Sequence, residues 1–405
     1  MSQKISNLEK RHASERRFIL AGRLAIGFAL SFLIILFTLI ISKGSGAFMR
    51  TKIALEITQD YQLKNLNNPN DYRQVVKQNL AKLAPSNISK EDLSQIYNLV
   101  SKIANLELQR AMHQASNTKK PKHYWLSASS KVDMYVKYGI SEGLNPAQLK
   151  IINDLQQQQR LKKFFNWEFF RFGDSREPEI AGIKASFVGS ILVMIIFLLC
   201  AFPIAVSCAF YLEEFAPKNR LTDIIEISIN NLAGIPSIIY GLLGLTLYLQ
   251  FMHLPRSSAL VGGLTLFMLV LPVIIIATRN TIRSIPNTIR DGALAIGASK
   301  MQVIWHHLLP LSIPGIMTGT ILAISRALGE TAPLLMIGMV AFIADTPRNF
   351  FEPSSALAVQ IYLWSDLPEI GFVEKTSGAI LVLLTFLILL NLSAIILRKK
   401  FERKW

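Results

Sequence analysis

Residues 290–330 read RDGALAIGASKMQVIWHHLLPLSIPGIMTGTILAISRALGE, and the stretch changes character half-way. Ahead of Pro310, the apolar residues Leu294, Ala298, Met301, Trp305 and Leu308 recur at steps of four, three, four and three. That spacing predicts one apolar helix face, with Asp291, Lys300, Gln302 and His306 on the polar side. Gly297 sits in the middle, where an interior glycine costs ~1 kcal/mol against alanine. A bend, or a very close contact with a partner, is expected there. After Pro314-Gly315 the chain turns apolar but carries Arg326 and Glu330. Arg326 falls ~18 Å along a helix from Pro314, near the middle of a ~30 Å hydrocarbon core. A central arginine costs at least ~2.5 kcal/mol to insert, so it is expected to face the bundle interior. Glu330, one turn on, is placed to pair with it. Two readings stay open: an ion pair tying helices together, or a path in which the arginine attracts an anion and the glutamate keeps its binding weak. Gly329 and Pro333 interrupt the helix beside the pair, as broken helices do at transport sites.

The surrounding composition agrees with a membrane setting. The chain has 405 residues, 51% hydrophobic and 17% charged, with a positive mean hydropathy. That is too apolar for a soluble protein and too charged for spans alone, so a membrane domain plus a polar part is expected. Largely uncharged runs occur at 24–41, 185–212, 229–251, 259–278, 315–343 and 377–397, which predicts six transmembrane helices. The first is read as an uncleaved anchor rather than a signal peptide, whose apolar core is shorter. Cys200 and Cys208 share one run, about 12 Å apart on a helix, too far for a disulfide.

Charge fixes an expected orientation. Basic residues crowd the tail at 1–23, the tail at 398–405 and the 279–309 loop, which holds Arg279, Arg283, Arg290 and Lys300 against Asp291 alone. The 344–376 loop is acidic. By the positive-inside rule both termini and the 279–309 loop are cytoplasmic. The net charge of +16 is then topology and surface, not a nucleic-acid footprint. Arg279 and Arg283 read first as positive-inside anchors; Arg279 is also placed to receive an anion leaving the path.

Residues 42–182 differ in composition and predict an extracytoplasmic helical domain. One amphipathic stretch begins at Asn70 and stops at Pro85. A second follows Ser89, with Leu93, Ile96, Val100, Ile103, Ala104 and Ala111 at helical spacing. A third begins at Asn145-Pro146, a cap followed by a first-turn proline. Its aromatic end, Phe164 to Phe172, is expected to lie on the lipid surface. The fold class expected is thus an all-α polytopic membrane protein of six transmembrane helices with an inserted extracytoplasmic helical domain. Its domains are a basic tail at 1–23, a first span at 24–41, the insert at 42–182, a transmembrane domain at 183–397 with a cytoplasmic loop at 279–314, and a basic tail at 398–405.

Catalytic signatures are missing. The chain holds no G-x-x-x-x-G-K-[ST], H-E-x-x-H or G-x-S-x-G motif, and adjacent His306 and His307 would point ~100° apart on a helix. The expectation is no enzyme and no cofactor of its own.

Two resemblances sharpen the reading. The spacing Asp291-Gly292-Ala293, Gly297, Ile304 and Leu309-Pro310 resembles the E-A-A, G, I, L-P coupling loop of ABC-importer permeases, with Asp291-Gly292-Ala293 departing from E-A-A. The resemblance implies docking on a cytoplasmic ATPase that binds the ATP. The segment 231–242, N-L-A-G-I-P-S-I-I-Y-G-L, and 326–334, R-A-L-G-E-T-A-P-L, are similar to phosphate-importer permeases. A lone anchor followed by a long insertion resembles the A-type subunit of that family. This implies a C-type permease partner forming a heterodimer, two copies of an ATPase, a periplasmic phosphate-binding protein, phosphate as cargo, and a bacterial inner membrane. It also implies that Arg326, Glu330 and Arg279 belong to the translocation path. By chemistry alone another oxyanion, such as sulfate or molybdate, remains open. So does an external sensor role for 42–182, or a channel working without an ATPase.

Overall fold

A computed structural model describes residues 2–57, 69–83, 90–114, 122–340 and 342–401. Among these residues five helices are long and apolar enough to cross a membrane: Arg11–Phe48, Lys184–Phe215, Ala259–Arg283, Lys300–Gly329 and Ile370–Lys400. A sixth crossing exists only if the bent pair Arg220–Ala233 and Ser237–Phe251 counts as one span.

That bend is the first departure from the sequence expectation. The apolar run 229–251 is not a straight helix but folds through 103° between its two segments. The cause is local: Pro236 disfavours the helical conformation for Ile235, and the chain leaves the first helix at Gly234. The Tyr240 hydroxyl donates to the Leu232 carbonyl at 2.7 Å and holds the corner. The run 315–343 is a second departure. Its helix, Leu309–Gly329, stops at Gly329, and Glu330 is already extended. Pro333 cannot continue the ladder; it sits instead in the first turn of a short helix, Ala332–Met336. Glu330 is thus a capping residue, not a mid-helix one. At the N-terminus the basic stretch is helical from Ser2 and continuous with the first span, in one helix to Gly44.

The membrane core is the packing of Lys184–Phe210 on Ala259–Arg283. Ala201, Ala205 and Ala209 recur one turn apart and are fully buried. A Cβ at Gly263 would stand 2.5 Å from the Ile196 Cβ and 3.0 Å from the Val193 carbonyl oxygen. Small residues let the helices touch backbone to backbone, which is how helices associate where lipid supplies no hydrophobic drive. The last helix, Ile370–Phe401, lies along Leu309–Gly329 through Asn391, which accepts from Ser325 at 2.8 Å, and Arg398, which donates to Thr318 at 3.1 Å.

The 42–182 insert corrects the all-α expectation. It contains a three-stranded antiparallel sheet in the order β2-β1-β3, with β1 Met49–Ile57 in the centre, β2 Lys122–Ser127 and β3 Leu161–Phe165. Ile53 of β1 faces Leu126 of β2, and Arg50 faces Phe164 of β3. Helices Pro69–Ala81 and Ala104–Gln114 bury Tyr72, Val75, Val76, Leu80 and Leu108 with Ile53, Leu55 and Leu126 in a core of the insert's own. Pro146–Gln157 starts where its cap and proline predict, with Asn145 and Gln148 forming a capping box. The stretch expected as one helix behind Ser89 is broken: Lys90–Ile96 gives way to a 3-10 turn, Val100 bridges to Ala128, and a new helix begins at Ala104. Ser89 itself lies outside the described residues. The aromatic end is no surface helix either. It is β3 followed by a single turn, Glu168–Arg171, whose Phe169 is fully buried with Ile183, Leu357, Trp364 and Phe372.

One ammonium joins insert and bundle. Lys137 Nζ donates to the Gly46 and Met49 carbonyls at 2.9 and 2.7 Å, to Asp133 at 2.5 Å and to Glu374 at 2.8 Å. Its side chain is 4% exposed, and Glu374's 5%. Burial and the nearby Glu374 charge push the Tyr138 phenol up to about 12, so it stays a neutral donor. Replacing Lys137 with methionine strands two carboxylates, a loss of about 3–5 kcal/mol for a broken buried pair. The Lys137→Met protein should melt well below the parent in detergent and be cleaved by protease between insert and bundle first. An unchanged melting temperature would show that the junction does not depend on this ammonium.

Candidate functional site

The site grows from two arginines one helical turn apart. Arg279 and Arg283 lie on one face at the end of Ala259–Arg283 and meet carboxylates from two other elements. Glu213 sits in a π-helical turn, Tyr211–Phe215, that closes the Lys184–Phe210 helix; Glu226 sits in Arg220–Ala233. Arg279 Nε donates to Glu213 at 2.6 Å, and its Nη2 pairs with Glu226. Arg283 reaches Glu213 at 3.0 Å and Glu226 at 3.5 Å. Arg279 is 5% exposed. A charge so buried is tolerable only when paired, and both partners are spoken for inside this chain.

Arg290 then hangs the next segment from the same place. It donates through Nε to Glu214 at 2.9 Å, and to the Ile282 and Ile285 carbonyls and the Asn287 side chain at 2.9, 3.1 and 2.8 Å. From this anchor the loop runs out as Asn287–Ala295, turns, and returns as Lys300–Val303, Ile304–Leu308 and Leu309–Gly329 in continuous helix. The turn is made by Gly297 at φ +90°, with open space where a Cβ would stand. Glycine is needed for conformation, then, and not for a close internal contact. Ser299 caps the return helix: its hydroxyl accepts from Gln302 N at 3.3 Å while its own N–H donates to the Gln302 side chain at 2.8 Å.

The turn divides the apolar face that the four-three spacing predicts. Leu308 is buried and Ala298 half-buried, while Leu294, Met301 and Trp305 are exposed, joined by Ile296 at 85% exposure. Of the other pattern residues, Asp291 and Gly292 are exposed, Ala293 and Ile304 are buried as supports, and Leu309 and Pro310 start the long helix. The loop therefore presents uncovered apolar side chains at a tip held rigidly from behind.

Arg326 and Glu330 lie at the far end of that helix. Their contact is 3.5 Å, with Arg326 44% and Glu330 21% exposed, so the arginine faces away from its own bundle rather than into it. Beside them the segments 231–242 and 326–334 meet: a Cβ at Gly241 would stand 2.7 Å from the Pro333 Cα. Among the described residues Arg279 and Arg326 share no carboxylate: Arg279 pairs with Glu213 and Glu226, Arg326 with Glu330. Sequence spacing does not reveal Glu213, Glu214 or Glu226. The available signal is a pair of carboxylates closing an apolar run, which needs counter-charges, and Arg279 and Arg283 are the basic pair at a neighbouring span end.

Residues 180–405 match the family described as binding-protein-dependent transport system inner membrane component. The chain belongs to this family. Residues 5–145 match a domain of unknown function, DUF3333. Over 233 residues the chain is 32% identical to the probable ABC transporter permease protein YqgI of Bacillus subtilis, covering 53% of this chain and 78% of that one. It is 28% identical over 233 residues to the phosphate transport system permease protein PstA 1 of Mycobacterium tuberculosis H37Rv, covering 57% and 74%. Among solved structures, the MetNI methionine ABC transporter aligns over 58% of this chain and 97% of its own at 16% identity, with a TM-score of 0.44. The protein is a permease component of an ABC importer, a non-catalytic membrane subunit.

In this permease the two buried or half-buried arginines differ in what they hold. Arg279→Gln breaks a buried pair and should cost on the order of 3 kcal/mol. Arg326→Gln loses one long contact at a half-exposed site and should cost within about 1 kcal/mol. Thermal unfolding of the two variants in detergent tests this; equal losses would make Arg326 a structural residue.

Proposed function

We propose that the chain is the A-type permease subunit of an ATP-driven importer of inorganic phosphate. The observation that carries this reading is the meeting of 231–242 with 326–334, which puts Arg326 on a half-exposed face next to a helix break. In a single chain that face is uncovered; a C-type permease packed against it in a heterodimer would enclose Arg326 and Glu330 in a path. A guanidinium there attracts an anion, and the loosely paired glutamate competes with it, so the anion binds and leaves. Arg279, saturated by two carboxylates, serves this path as a pillar and not as a receiving site.

The Gly297 loop then faces the cytoplasm with both termini, in accord with the basic residues at 1–23, 279–309 and 398–405. An ATPase dimer would bury Leu294, Ile296, Met301 and Trp305, and a periplasmic phosphate-binding protein would deliver the ion on the side of the insert. The permease sits in the bacterial inner membrane and needs no cofactor of its own.

Vesicles reconstituted with the partner permease, the ATPase and the binding protein test the reading. Labelled phosphate should be taken up with ATP, and sulfate or molybdate in excess should not compete. Gly297→Lys should lower uptake more than tenfold while ATP hydrolysis continues, and Arg326→Gln should abolish uptake in a complex that still assembles. Competition by sulfate would reassign the cargo; unchanged uptake in Gly297→Lys would remove the docking role from the loop.

A further inference from the structure

The aromatic end of the insert folds as strand and turn, yet three of its rings stay outside. Phe165, at the end of β3, is 45% exposed and Trp167 57%, and Phe170 is exposed beside them. Across the β1–β3 pairing Phe165 faces Met49, which is exposed too. The outer rings rest on one another and on the fold behind. Phe165 lies 4.7 Å from Trp167 and 6.2 Å from Phe170 between centroids. Phe170 lies 5.8 Å from Phe48 and 5.3 Å from the fully buried Phe169. This is one contiguous apolar patch backed by the core, and not a scatter of single exposed residues.

The helices beside the patch set its depth. A Cβ at Gly378 would stand 2.5 Å from the Ala47 Cβ and 3.5 Å from the Phe169 ring, and one at Gly44 2.7 Å from the Ser377 carbonyl oxygen. Gly378 lies at the start of the last helix's uncharged run, 377–397, and Gly44 just past the end of the first helix's, 24–41. Both helices therefore pass from uncharged to charged sequence at one level, and the rings are packed against that level. It is the boundary between hydrocarbon and water, where tryptophan and other large rings gather.

The rim of the patch is basic. Lys163 shares a face of β3 with Phe165, Arg171 stands over the Trp167 ring at 5.8 Å, and Lys43 follows the first helix's apolar run; all three are exposed. Glu168 is the one carboxylate in 161–172, and it is half-buried. Long basic side chains around an apolar patch suit a lipid surface, where the stems lie along apolar groups and the charged heads reach the phosphates. The helix leading up to the patch has exposed Leu39 and Ile41, and none of its most apolar part is buried in this chain. That is the surface a span offers to lipid chains.

We propose that Met49, Phe165, Trp167 and Phe170 seat the insert in the headgroup region of the leaflet on its own side, with Lys43, Lys163 and Arg171 on lipid phosphates and a preference for anionic lipid. Met49 joins this seat to the Lys137 junction, because its carbonyl accepts from Lys137 Nζ at 2.7 Å while its side chain meets lipid. The bilayer and the last helix then hold the base of the insert from two sides. The seat does not depend on the cargo or on Arg326.

The test uses the assembled transporter in vesicles whose lipids carry bromine either near the headgroup or near the bilayer centre, since bromine quenches tryptophan fluorescence on contact. The emission of Trp167 is the difference between the parent and Trp167→Phe. That difference should be quenched about twofold more by bromine near the headgroup than by bromine at the centre, and should resist aqueous iodide. At equal content, brominated phosphatidylglycerol should quench it about twofold more than brominated phosphatidylcholine, and Lys163→Gln with Arg171→Gln should remove that excess. Trp167→Phe keeps a ring in place, so it should melt with the parent; if it does not, Phe165→Trp gives the same reading as a gain of quenchable emission. Quenching by iodide in place of bromolipid would put Trp167 in water, and protection from both would put it under a partner subunit. Either result overturns the seat. Equal quenching by the two brominated lipids overturns the anionic preference.

Discussion

The buried guanidinium of Arg279 is the constraint on which the functional half of the molecule depends. Once Arg279 sits in the packed face of Ala259–Arg283, its charge must be answered, and Glu213 and Glu226 answer it from two other elements. The Tyr211–Phe215 turn is thereby fixed against the end of the neighbouring helix, and Glu214, next in sequence, is fixed with it. Arg290 can then use Glu214 and two backbone carbonyls as a mount. The exposed loop with Gly297 at its tip has its direction set by this chain of pairings, not by its own helix propensity.

This explains which parts were legible in the sequence. Hydropathy finds the helices, because an uncharged run in lipid has no alternative to internal hydrogen bonding. The Asn145-Pro146 start of a helix is readable because cap and proline act within one turn. Gly297 is conspicuous as a glycine inside an amphipathic pattern, but spacing alone cannot say whether it bends the chain or admits a partner. The structure shows the former, and the predicted single face splits into buried Leu308 and exposed Leu294 and Trp305 in consequence. The Glu213–Arg279 pairing spans 66 positions and leaves no periodic trace. The two overrun spans failed for one reason: apolar runs look continuous through Pro236 and Pro333, and hydropathy does not register backbone sterics.

The insert failed differently. β1 Met49–Ile57 is buried on both faces, with Arg50, Thr51, Ile53, Ala54, Leu55 and Ile57 all inside, so it lacks the alternation that marks a half-exposed strand. β3, Leu-Lys-Lys-Phe-Phe, reads as a basic aromatic surface because its pairing partner lies more than a hundred residues away. Helical segments flank both strands, so in the sequence the whole insert looks helical. Arg50 looks like one more surface charge in the sequence, and only the burial of its strand makes it a group in need of a counter-charge.

The Gly297 loop and Arg326 are joined by one helix. Lys300–Gly329 is continuous helix of 30 residues, about 45 Å at 1.5 Å per residue. Its first turn is capped by Ser299 beside Gly297, and its last turn carries Arg326 ahead of the break at Glu330. Gly297 breaks the chain before this helix and Glu330 after it, and within it a π-helical segment at Ile304–Leu308 and Pro314 depart from the regular ladder. Met301 and Trp305 lie on this helix itself, whereas Leu294 and Ile296 lie on the other side of the Gly297 turn and act on it only through that turn. The far end of the helix leads into the tight contact between Gly241 and Pro333, at the place where 231–242 and 326–334 meet. Arg326 belongs to the last turn of this helix and Glu330 to the break that follows it, so the 3.5 Å contact between them joins the helix to the segment beyond.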